Sequence, residues 1–407
     1  MQILNVISAV FGVLMGVYGL FYAFIAIVGL KKRKSDFKRV KPQKRIAAIA
    51  AARNEEAVIG QLVKSLMKQD YPKELFDVIV VPNNSTDDTA GAAERAGAKI
   101  VNVDVPVKCK GEALKSAFRQ IMEKENYDAF VIFDADNIVD PGYLQAVNDA
   151  LMGGARIARG YIDSKNPYDN WVSGCSSIFF WFMNRLFNHG RRVLKQSAHL
   201  NGTGFAVATS LLKETGFDTY SITEDLEYTA QCILHGERVY WMDDAITYDE
   251  QPESLWDALR QRRRWFSGAW QCKKYYFKDL LKMRTFGGFD MALIFGSVYF
   301  MILGAIPIFT SIISILLYVF KDPAWAIELI FTLALSGVGT VIGMIAFAAF
   351  VCALEKKNVK KMWKGIIAFP IFMVLWILAN WSCILMGPPK WKPIKHKAVE
   401  ESPANDR

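Results

Sequence analysis

Long apolar stretches frame the chain on both sides. Residues 3–30 contain no charged side chain, and three further apolar stretches cover residues 291–320, 326–354 and 366–386. About 20 predominantly apolar residues cross a hydrocarbon core as a helix, so each stretch is long enough to span a membrane. The first stretch is too long for a cleaved signal peptide, and its positive charges follow it rather than precede it. The pattern therefore predicts membrane helices before and after a central region.

Short apolar runs alternate with helical patterns in that central region. Runs typical of buried strands occupy Ile46–Ala52, 76–81, 99–103 and Ala129–Phe133. Helical periodicity covers residues 55–68, 87–96 and 112–123. Strands that alternate with helices indicate βαβ units and a parallel sheet. We therefore expect an α/β domain between the membrane helices.

Composition narrows the class of protein. Of the 407 residues, 52% are hydrophobic and 22% are charged, against about 25% charged residues in ordinary soluble domains. The mean hydropathy is +0.15. These values exclude a disordered chain and a small disulfide scaffold. The six cysteines form no CxxC pair, which is typical of reduced thiols and argues against a zinc site.

Positive charge clusters beside the apolar stretches. The net charge is +9, residues 31–34 are all basic, and five lysines lie between residues 356 and 364. Such clusters are typical of cytoplasmic loops that lie against an anionic lipid surface. We therefore expect a lipid bilayer, and not nucleic acid, as the partner of this basic chain.

Charge and hydropathy together predict four regions. A membrane helix over residues 1–30 precedes a cytoplasmic domain over residues 31–285; membrane or interfacial helices over 286–388 and a basic tail over 389–407 follow. One span before the domain and three after it would place the tail outside, against its positive charge. Either one segment is re-entrant or interfacial, or a long one is a hairpin. We expect a cytoplasmic tail and a multi-pass protein of the plasma membrane.

Two acidic motifs are candidates for chemistry. Asp134 and Asp136 flank one alanine directly after a buried run, where side chains reach the ligand crevice of a parallel sheet and can hold a divalent cation. Asp pairs are also common in turns. Thr223-Glu224-Asp225 offers a general base towards a hydroxyl group. The same residues could instead cap the helix that follows.

A basic and aromatic motif lies further along the chain, from Gln261 through three arginines to Trp265. An arginine fork matches the oxygens of a diphosphate, and a tryptophan offers a flat apolar face to a sugar ring. Arginine and tryptophan are also enriched in amphipathic helices at a membrane interface. Both interpretations can hold for one helix.

The order of these motifs carries a resemblance. Arg53-Asn54-Glu55, the Asn83-Asn84 pair, Lys110-Gly111 and then the three motifs above follow one another between residues 45 and 275. This ordered set resembles family 2 glycosyltransferases, especially membrane-embedded processive enzymes such as hyaluronan, chitin and cellulose synthases. The resemblance implies a GT-A fold, which is a Rossmann-like α/β nucleotide-diphospho-sugar transferase domain, here joined to α-helical transmembrane segments. It also implies a nucleotide-sugar donor and Mg²⁺ or Mn²⁺ as cofactor.

The resemblance also implies a role for each matching residue. Asp225 would be the catalytic base with Glu224 beside it, and Asp136 would bind the metal. The donor would be bound by Arg53, Glu55, Asn83, Lys110, Asp134 and Arg264. The acceptor would lie against Gly202, Thr203, Gln261 and Trp265. The family usually has an aspartate where Asn83 stands; the amide can still hydrogen-bond a base, but without the charge a uridine nucleotide is less firmly implied.

The resemblance leaves several functions open. The first hypothesis is an inverting enzyme that uses a nucleotide sugar, such as a UDP-sugar, to extend a β-linked polysaccharide. Extension would be coupled to export of the polymer. The second is single addition to a membrane lipid acceptor. The third is a non-catalytic scaffold that binds sugar nucleotide. Intact acidic motifs argue against the scaffold, while the small number of apolar segments argues against a complete channel in one protomer and leaves room for a homo-oligomer.

Overall fold

A computed structural model describes residues 2–387. The basic tail predicted over residues 389–407 lies outside the described residues. Eight strands form one sheet: β1 (Ile46–Ala52), β2 (Phe76–Pro82), β3 (Lys99–Ile100), β4 (Ala129–Phe133), β5 (Ile138–Val139), β6 (Ile157–Ser164), β7 (Phe205–Ala208) and β8 (Tyr240–Asp249).

Fourteen α-helices are present in the described residues. They are α1 (Gln2–Gly29), α2 (Ile59–Met67), α3 (Thr89–Arg95), α4 (Lys110–Lys124), α5 (Tyr143–Met152), α6 (Trp171–Phe182), α7 (His189–Val193), α8 (Thr209–Thr215), α9 (Glu224–Leu234), α10 (Leu255–Lys282), α11 (Phe286–Phe295), α12 (Ser297–Tyr318), α13 (Pro323–Leu354) and α14 (Trp363–Met386). A π-helical turn, Met183–Asn188, joins α6 to α7.

The sheet is mixed rather than wholly parallel, with the order β3-β2-β1-β4-β7-β6-β8-β5. Strands β1 to β4 are parallel, as the alternation predicted. Strand β7 runs antiparallel to both β4 and β6, and β5 runs antiparallel to β8. The expectation of a parallel sheet is therefore wrong for the second half. It rested on the first 133 residues, where apolar runs reveal the strands, whereas β6 and β8 contain buried charged residues such as Arg159 and Asp243.

The two faces of the sheet are both buried. In β1, Ile46 and Ala48 pack against α2 and α5, while Ala47 and Ile49 pack in the cluster on the opposite face. That second cluster continues into the apolar helices, because it also contains Val351 of α13 and other buried side chains of α13 and α14. The α/β domain and these helices thus share one hydrophobic core, which fixes their relative position.

Four helices are long and apolar enough to cross a membrane: Val6–Gly29, Ser297–Leu317, Pro323–Leu354 and Trp363–Met386. Helix α13 is one continuous helix of 32 residues, so the hairpin alternative does not hold for it. The apolar stretch predicted over 291–320 is divided at Gly296, between α11 and α12.

Ionic contacts join the domain to the ends of the apolar helices. Arg33, which follows α1, forms an ion pair with Glu355, which follows α13. Glu355 also accepts a hydrogen bond of 2.6 Å from the Tyr161 hydroxyl of β6. Lys357 pairs with the buried Asp163 of β6 at 2.6 Å. These contacts hold β6, and with it one side of the sheet, against the apolar helices.

Candidate active site

One edge of the sheet collects most of the predicted site residues. Strands β1, β2, β4, β6 and β8 all point towards this edge, and their carboxyl ends lie side by side there. Strand β7 runs the other way and therefore starts at the same edge, which brings in the loop that contains Gly202 and Thr203. Ligands bind at this edge in open α/β sheets.

The loops after β1 and β2 form one end of the site. Asn54 has a left-handed backbone (φ 59°), and its side-chain oxygen accepts a hydrogen bond of 2.7 Å from the Thr86 amide. The Glu55 amide donates to the Thr89 hydroxyl at 2.9 Å. Asn83 is buried, and its side-chain oxygen has no hydrogen-bond partner among residues 2–387. A buried acceptor of this kind favours a ligand that donates a hydrogen bond.

Lys110 connects the first acidic motif with the second. Its ammonium group pairs with Asp134, donates to the Gly202 carbonyl at 2.7 Å and lies 3.6 Å from Glu224. Burial lowers the pKa of Lys110, but Asp134 and Glu224 outweigh burial and raise it, so the group stays charged. The next residue, Gly111, has no room for a side chain. A β-carbon there would lie 2.4 Å from the Thr219 hydroxyl and 3.3 Å from Glu224.

Asp225 lies in the first turn of α9, beneath the loop before β7. Thr223 occupies the N-cap position of this helix, so Asp225 is not its N-cap. The Gly202 amide donates a hydrogen bond to the Asp225 carboxylate. Burial raises the pKa of Asp225, opposed by backbone hydrogen bonds and by the charges of Lys110 and Arg264. A carboxylate with a raised pKa is a better proton acceptor than an ordinary surface aspartate.

A third carboxylate, Asp249 at the end of β8, faces the Asp134–Asp136 pair. Burial and the charges of Asp136 and Asp134 raise the pKa of Asp249. Asn137 donates a hydrogen bond to Asp249 and accepts one from Thr203, so it ties β8 and β7 to the loop after β4. The sequence reasoning missed Asp249, although its place at a strand end is the signal that identified Asp136.

These carboxylates suit a divalent cation that is shared with a substrate. Among residues 2–387, no group of three or more His, Cys, Asp or Glu side chains is close enough to hold a metal ion by itself. Mg²⁺ often takes only one or two protein carboxylates and completes its coordination with phosphate oxygens and water. A cation beside Asp136 would also relieve the mutual repulsion that raises the pKa of Asp249.

Helix α10 carries the basic and aromatic motif and passes close to α9. A β-carbon on Gly268 would lie 2.1 Å from the Thr223 hydroxyl, so only glycine permits this approach. The approach brings Arg264 near enough to Asp225 for its positive charge to oppose the rise that burial causes in the pKa of Asp225. Gln261 accepts a hydrogen bond of 2.7 Å from Arg262.

Arg262 points away from the carboxylates into an aromatic cluster. The guanidinium is fully buried, lies 5.0 Å from the ring centroids of Trp265 and Trp376 and 5.2 Å from that of Phe372, and donates to the Ser176 hydroxyl at 3.0 Å. The Trp265 ring also contacts Phe179 and Phe180 of α6. Of the three arginines, Arg262 therefore joins α10 to α6 and α14, a role that the sequence did not reveal.

Comparisons with known proteins agree with this geometry. The chain is 24% identical to the probable glycosyltransferase YdaM of Bacillus subtilis over 389 residues, which cover 89% of this chain and 86% of that protein. It is 26% identical over 237 residues to the beta-monoglucosyldiacylglycerol synthase of Synechocystis sp., covering 56% of this chain and about half (49%) of that relative.

A solved structure has the same fold over nearly the whole chain. The mannosyltransferase PcManGT from Pyrobaculum calidifontis, in complex with GDP-Man and Mn2+, superposes with a TM-score of 0.61 and covers 94% of this chain and 99% of its own, at 18% identity. The predicted GT-A fold is thereby confirmed. Residues 42–268, more than half of the chain, match the sequence profile of the family described as glycosyltransferase like family 2. The chain therefore belongs to that family and is a glycosyltransferase.

Proposed function

We propose that this protein is an inverting membrane glycosyltransferase that takes its sugar from a nucleotide-diphospho-sugar, with a UDP-sugar as the first expectation. The observation that carries the proposal is the chain of contacts from Asp134 through Lys110 and Gly202 to Asp225. It joins the motif assigned to the donor to the carboxylate assigned as base. On this proposal the α/β domain lies at the cytoplasmic face of the plasma membrane, with the apolar helices in the bilayer.

The donor end of the site is assigned to cations and acids that lie together at the sheet edge. Asp136, supported by Asp134 and Asp249, would hold Mg²⁺ or Mn²⁺, which when bound neutralises phosphate charge. Lys110 and Arg264 would stabilise the charge that develops on the departing nucleoside diphosphate. Asn83, with Arg53 and Glu55 in the neighbouring loop, would contact the nucleoside.

The acceptor end is assigned to Asp225. Its carboxylate takes the proton from an acceptor hydroxyl as that oxygen attacks the anomeric carbon from the face opposite the leaving group. The raised pKa of Asp225, caused first by burial, suits this transfer. Glu224, which also interacts with Lys110, would help to hold the ammonium beside the donor. A single displacement inverts the anomeric configuration, so an α-linked donor gives a β-linked product.

Contacts between α10 and α14 favour single addition to a lipid acceptor. Trp376 and Phe372 of α14 lie directly over Arg262 of α10, and Trp376 also contacts Trp265. A growing polysaccharide would need a passage beside Trp265, where these rings are packed together. Helix α14 is itself long and apolar enough to cross a membrane. A lipid acceptor would therefore reach Trp265 directly from the bilayer that surrounds α14. The similarity to a glucosyldiacylglycerol synthase supports the same choice.

Extension of a polysaccharide is the second candidate. The motif from Gln261 to Trp265 on α10 favours it, because the enzymes with this motif that the sequence resembles usually extend polymers. In that case Trp265, with Gly202 and Thr203 at the opposite wall, would support the end of the glycan.

One experiment tests the proposal and separates the two candidates. The purified protein in lipid vesicles is incubated with Mn²⁺, a lipid extract and each common nucleotide sugar in turn. Release of nucleoside diphosphate and the size of the labelled product are recorded. One sugar on an extractable lipid is the expected result, a long water-soluble product supports the second candidate, and no release with any donor contradicts both.

A further inference from the structure

The first turn of α14 is fixed to the α/β domain. The helix has 24 residues, so it is about 36 Å long at 1.5 Å per residue and could cross a hydrocarbon core of about 30 Å. A β-carbon on Gly365 would lie 3.0 Å from the backbone of Gly174 in α6. The Cys175 thiol of α6 donates a hydrogen bond of 3.2 Å to the Gly365 carbonyl. This end of α14 therefore lies directly on a helix that follows β6.

The last turn of α14 also contacts the domain. The Cys383 thiol is 3.6 Å from the Arg263 carbonyl oxygen of α10. If α14 crossed the bilayer, the length of helix from Gly365 to Cys383, about 27 Å, would carry this end into the far leaflet. Arg263 instead lies next to Arg264, whose charge reaches Asp225. Both ends of α14 are thus on the domain side of the membrane.

The middle of α14 is covered by the same two helices. The Trp376 ring centroid lies 4.4 Å from that of Phe179 in α6, and Trp376 also packs over Arg262 of α10. By contrast, residues 331–343 of α13 are all exposed. The side chains buried on α14 form one stripe that continues to its last turn: Ile366, Phe369, Phe372, Ala379 and Cys383. Helix α14 therefore follows the domain, whereas α13 leaves it.

The start of α12 measures how deep α14 reaches. Val298, in the first turn of α12, packs in one cluster with Cys383. Phe300, in the same turn, stacks on Tyr18 of α1 with 4.0 Å between the ring centroids. Along α1, Tyr18 is about 16 Å from Gly29, where α1 touches the π-helical turn of the domain. Helix α14 therefore ends where α12 begins, at a depth of about one leaflet, since half of a hydrocarbon core is about 15 Å.

The uncovered face of α14 suits lipid acyl chains. The helix begins with Trp363 and Lys364, and the Lys364 ammonium lies 5.8 Å from the Trp363 ring centroid. Tryptophan is enriched at membrane–water interfaces, and lysine can extend its ammonium into the headgroups. Beyond this start, one series of apolar side chains is more than half exposed: Ile367, Ile371, Val374 and Leu378.

We propose that α14 does not cross the bilayer but lies in the leaflet nearest the α/β domain, with its uncovered face against the acyl chains of that leaflet. The chain then crosses through α1, α12 and α13, and it leaves α14 on the side of the domain. Four lysines between residues 390 and 397 agree with that side by the positive-inside rule. The inference goes beyond the proposed function and does not depend on it.

Epitope labelling tests the number of crossings. The same small epitope is fused before Met1, inserted after Lys321 between α12 and α13, or fused after Arg407, each time in the full chain. Antibody binding is compared in intact and permeabilised protoplasts. We expect the epitopes at Met1 and Lys321 on one side and the epitope at Arg407 on the other. Epitopes at Met1 and Arg407 on the same side would overturn the inference, and so would epitopes at Met1 and Lys321 on opposite sides.

A matched pair of lysine variants distinguishes α14 from α13 as the helix that does not cross. Leu335 of α13 and Val374 of α14 are exposed by 62% and 52%, in the central part of each helix. In Leu335→Lys the ratio of folded to aggregated protein after mild detergent extraction should fall about 100-fold, because a lysine at the centre of a spanning helix is costly. In Val374→Lys it should fall by less than about 10-fold, because the ammonium can reach the headgroups of the near leaflet.

An equal or larger loss in Val374→Lys would contradict the position of α14. Release of nucleoside diphosphate by the wild type is measured on the same membranes. Because the epitopes and the lysine pair report on the membrane helices alone, a failure of this inference leaves the proposed glycosyl transfer standing, and the absence of release leaves the position of α14 standing.

Discussion

Replacing Asp225 with asparagine isolates its role as a base. Asparagine keeps the size of the side chain and an oxygen that can accept the hydrogen bond from the Gly202 amide, but it cannot take a proton. Loss of a general base lowers transfer by about 10²- to 10⁴-fold, or about 2.7–5.4 kcal/mol in the activation free energy at about 1.36 kcal/mol per factor of ten. Donor affinity should persist, because Lys110 and Asp136 are unchanged.

The pH dependence of the reaction should change with the variant. Burial raises the pKa of Asp225, and the base works only when ionised. The wild-type kcat/KM should therefore fall as the pH drops through this raised pKa, at a higher pH than the about 3.9 of an unperturbed aspartate. Asp225→Asn should lose this acidic limb.

The stability of the folded protein gives a second test of the raised pKa of Asp225. Because the folded-state pKa is raised, the folded protein favours the protonated form, and its stability falls as the pH rises through that pKa. Removing the charge should therefore raise the melting temperature at neutral pH, and the difference should vanish below the unfolded-state pKa.

Stopped assays of transfer, with titration of the donor by calorimetry, measure both quantities on one preparation. Asp218→Asn is the matched control. Asp218 is an exposed aspartate that precedes the same helix and pairs with Lys115, so its replacement should leave the rate unchanged. If Asp225→Asn unfolds, or loses donor affinity at an unchanged rate, Asp225 is a structural residue and the reasoning fails.

Three further changes test other parts of the site and of the fold. Asp136→Ala should abolish turnover and remove the dependence of nucleotide binding on Mn²⁺, because its carboxylate is assigned to the metal; calorimetry with and without Mn²⁺ measures this, and metal-dependent binding of wild-type strength would contradict it. Trp265→Ala should lower the ratio of transferred sugar to sugar released by hydrolysis, since water needs no aromatic support; an unchanged ratio at matched amounts of folded protein would indicate a membrane anchor instead. Asp290→Asn should lower the free energy of unfolding by about 3–5 kcal/mol, because it breaks a buried ion pair in which Arg191 donates to both Asp290 oxygens, at 2.6 and 3.0 Å; thermal unfolding in detergent measures it, and an unchanged midpoint would refute the role of the pair.

The sequence predicted the parts of the fold where burial is simple. Ile46–Ala52 and Ala129–Phe133 coincide with β1 and β4, because strands buried on both faces are continuous apolar runs bounded by polar turns. The helix expected over residues 55–68 starts later, at Ile59. The preceding residues form a turn in which Asn54 is left-handed, and hydrophobic periodicity does not detect such local geometry.

The later strands were hidden by buried polar residues. Asp163 of β6 is only 2% exposed, yet it looks like a surface residue in the sequence because its partners, Trp181 and Lys357, are distant along the chain. The acidic and basic motifs could be predicted because several reactive residue types lie together. Asp249 could not, since it is a single acidic residue at the end of a polar strand and reaches the site through the sheet topology alone.

The configuration of the new glycosidic bond tests the central claim most directly, because it depends on a single displacement with Asp225 as base. An α-linked nucleotide sugar is used with the best acceptor, and the anomeric configuration of the glycosidic bond in the product is determined by nuclear magnetic resonance. We expect a β-linked product. An α-linked product would show retention of configuration and would contradict the mechanism.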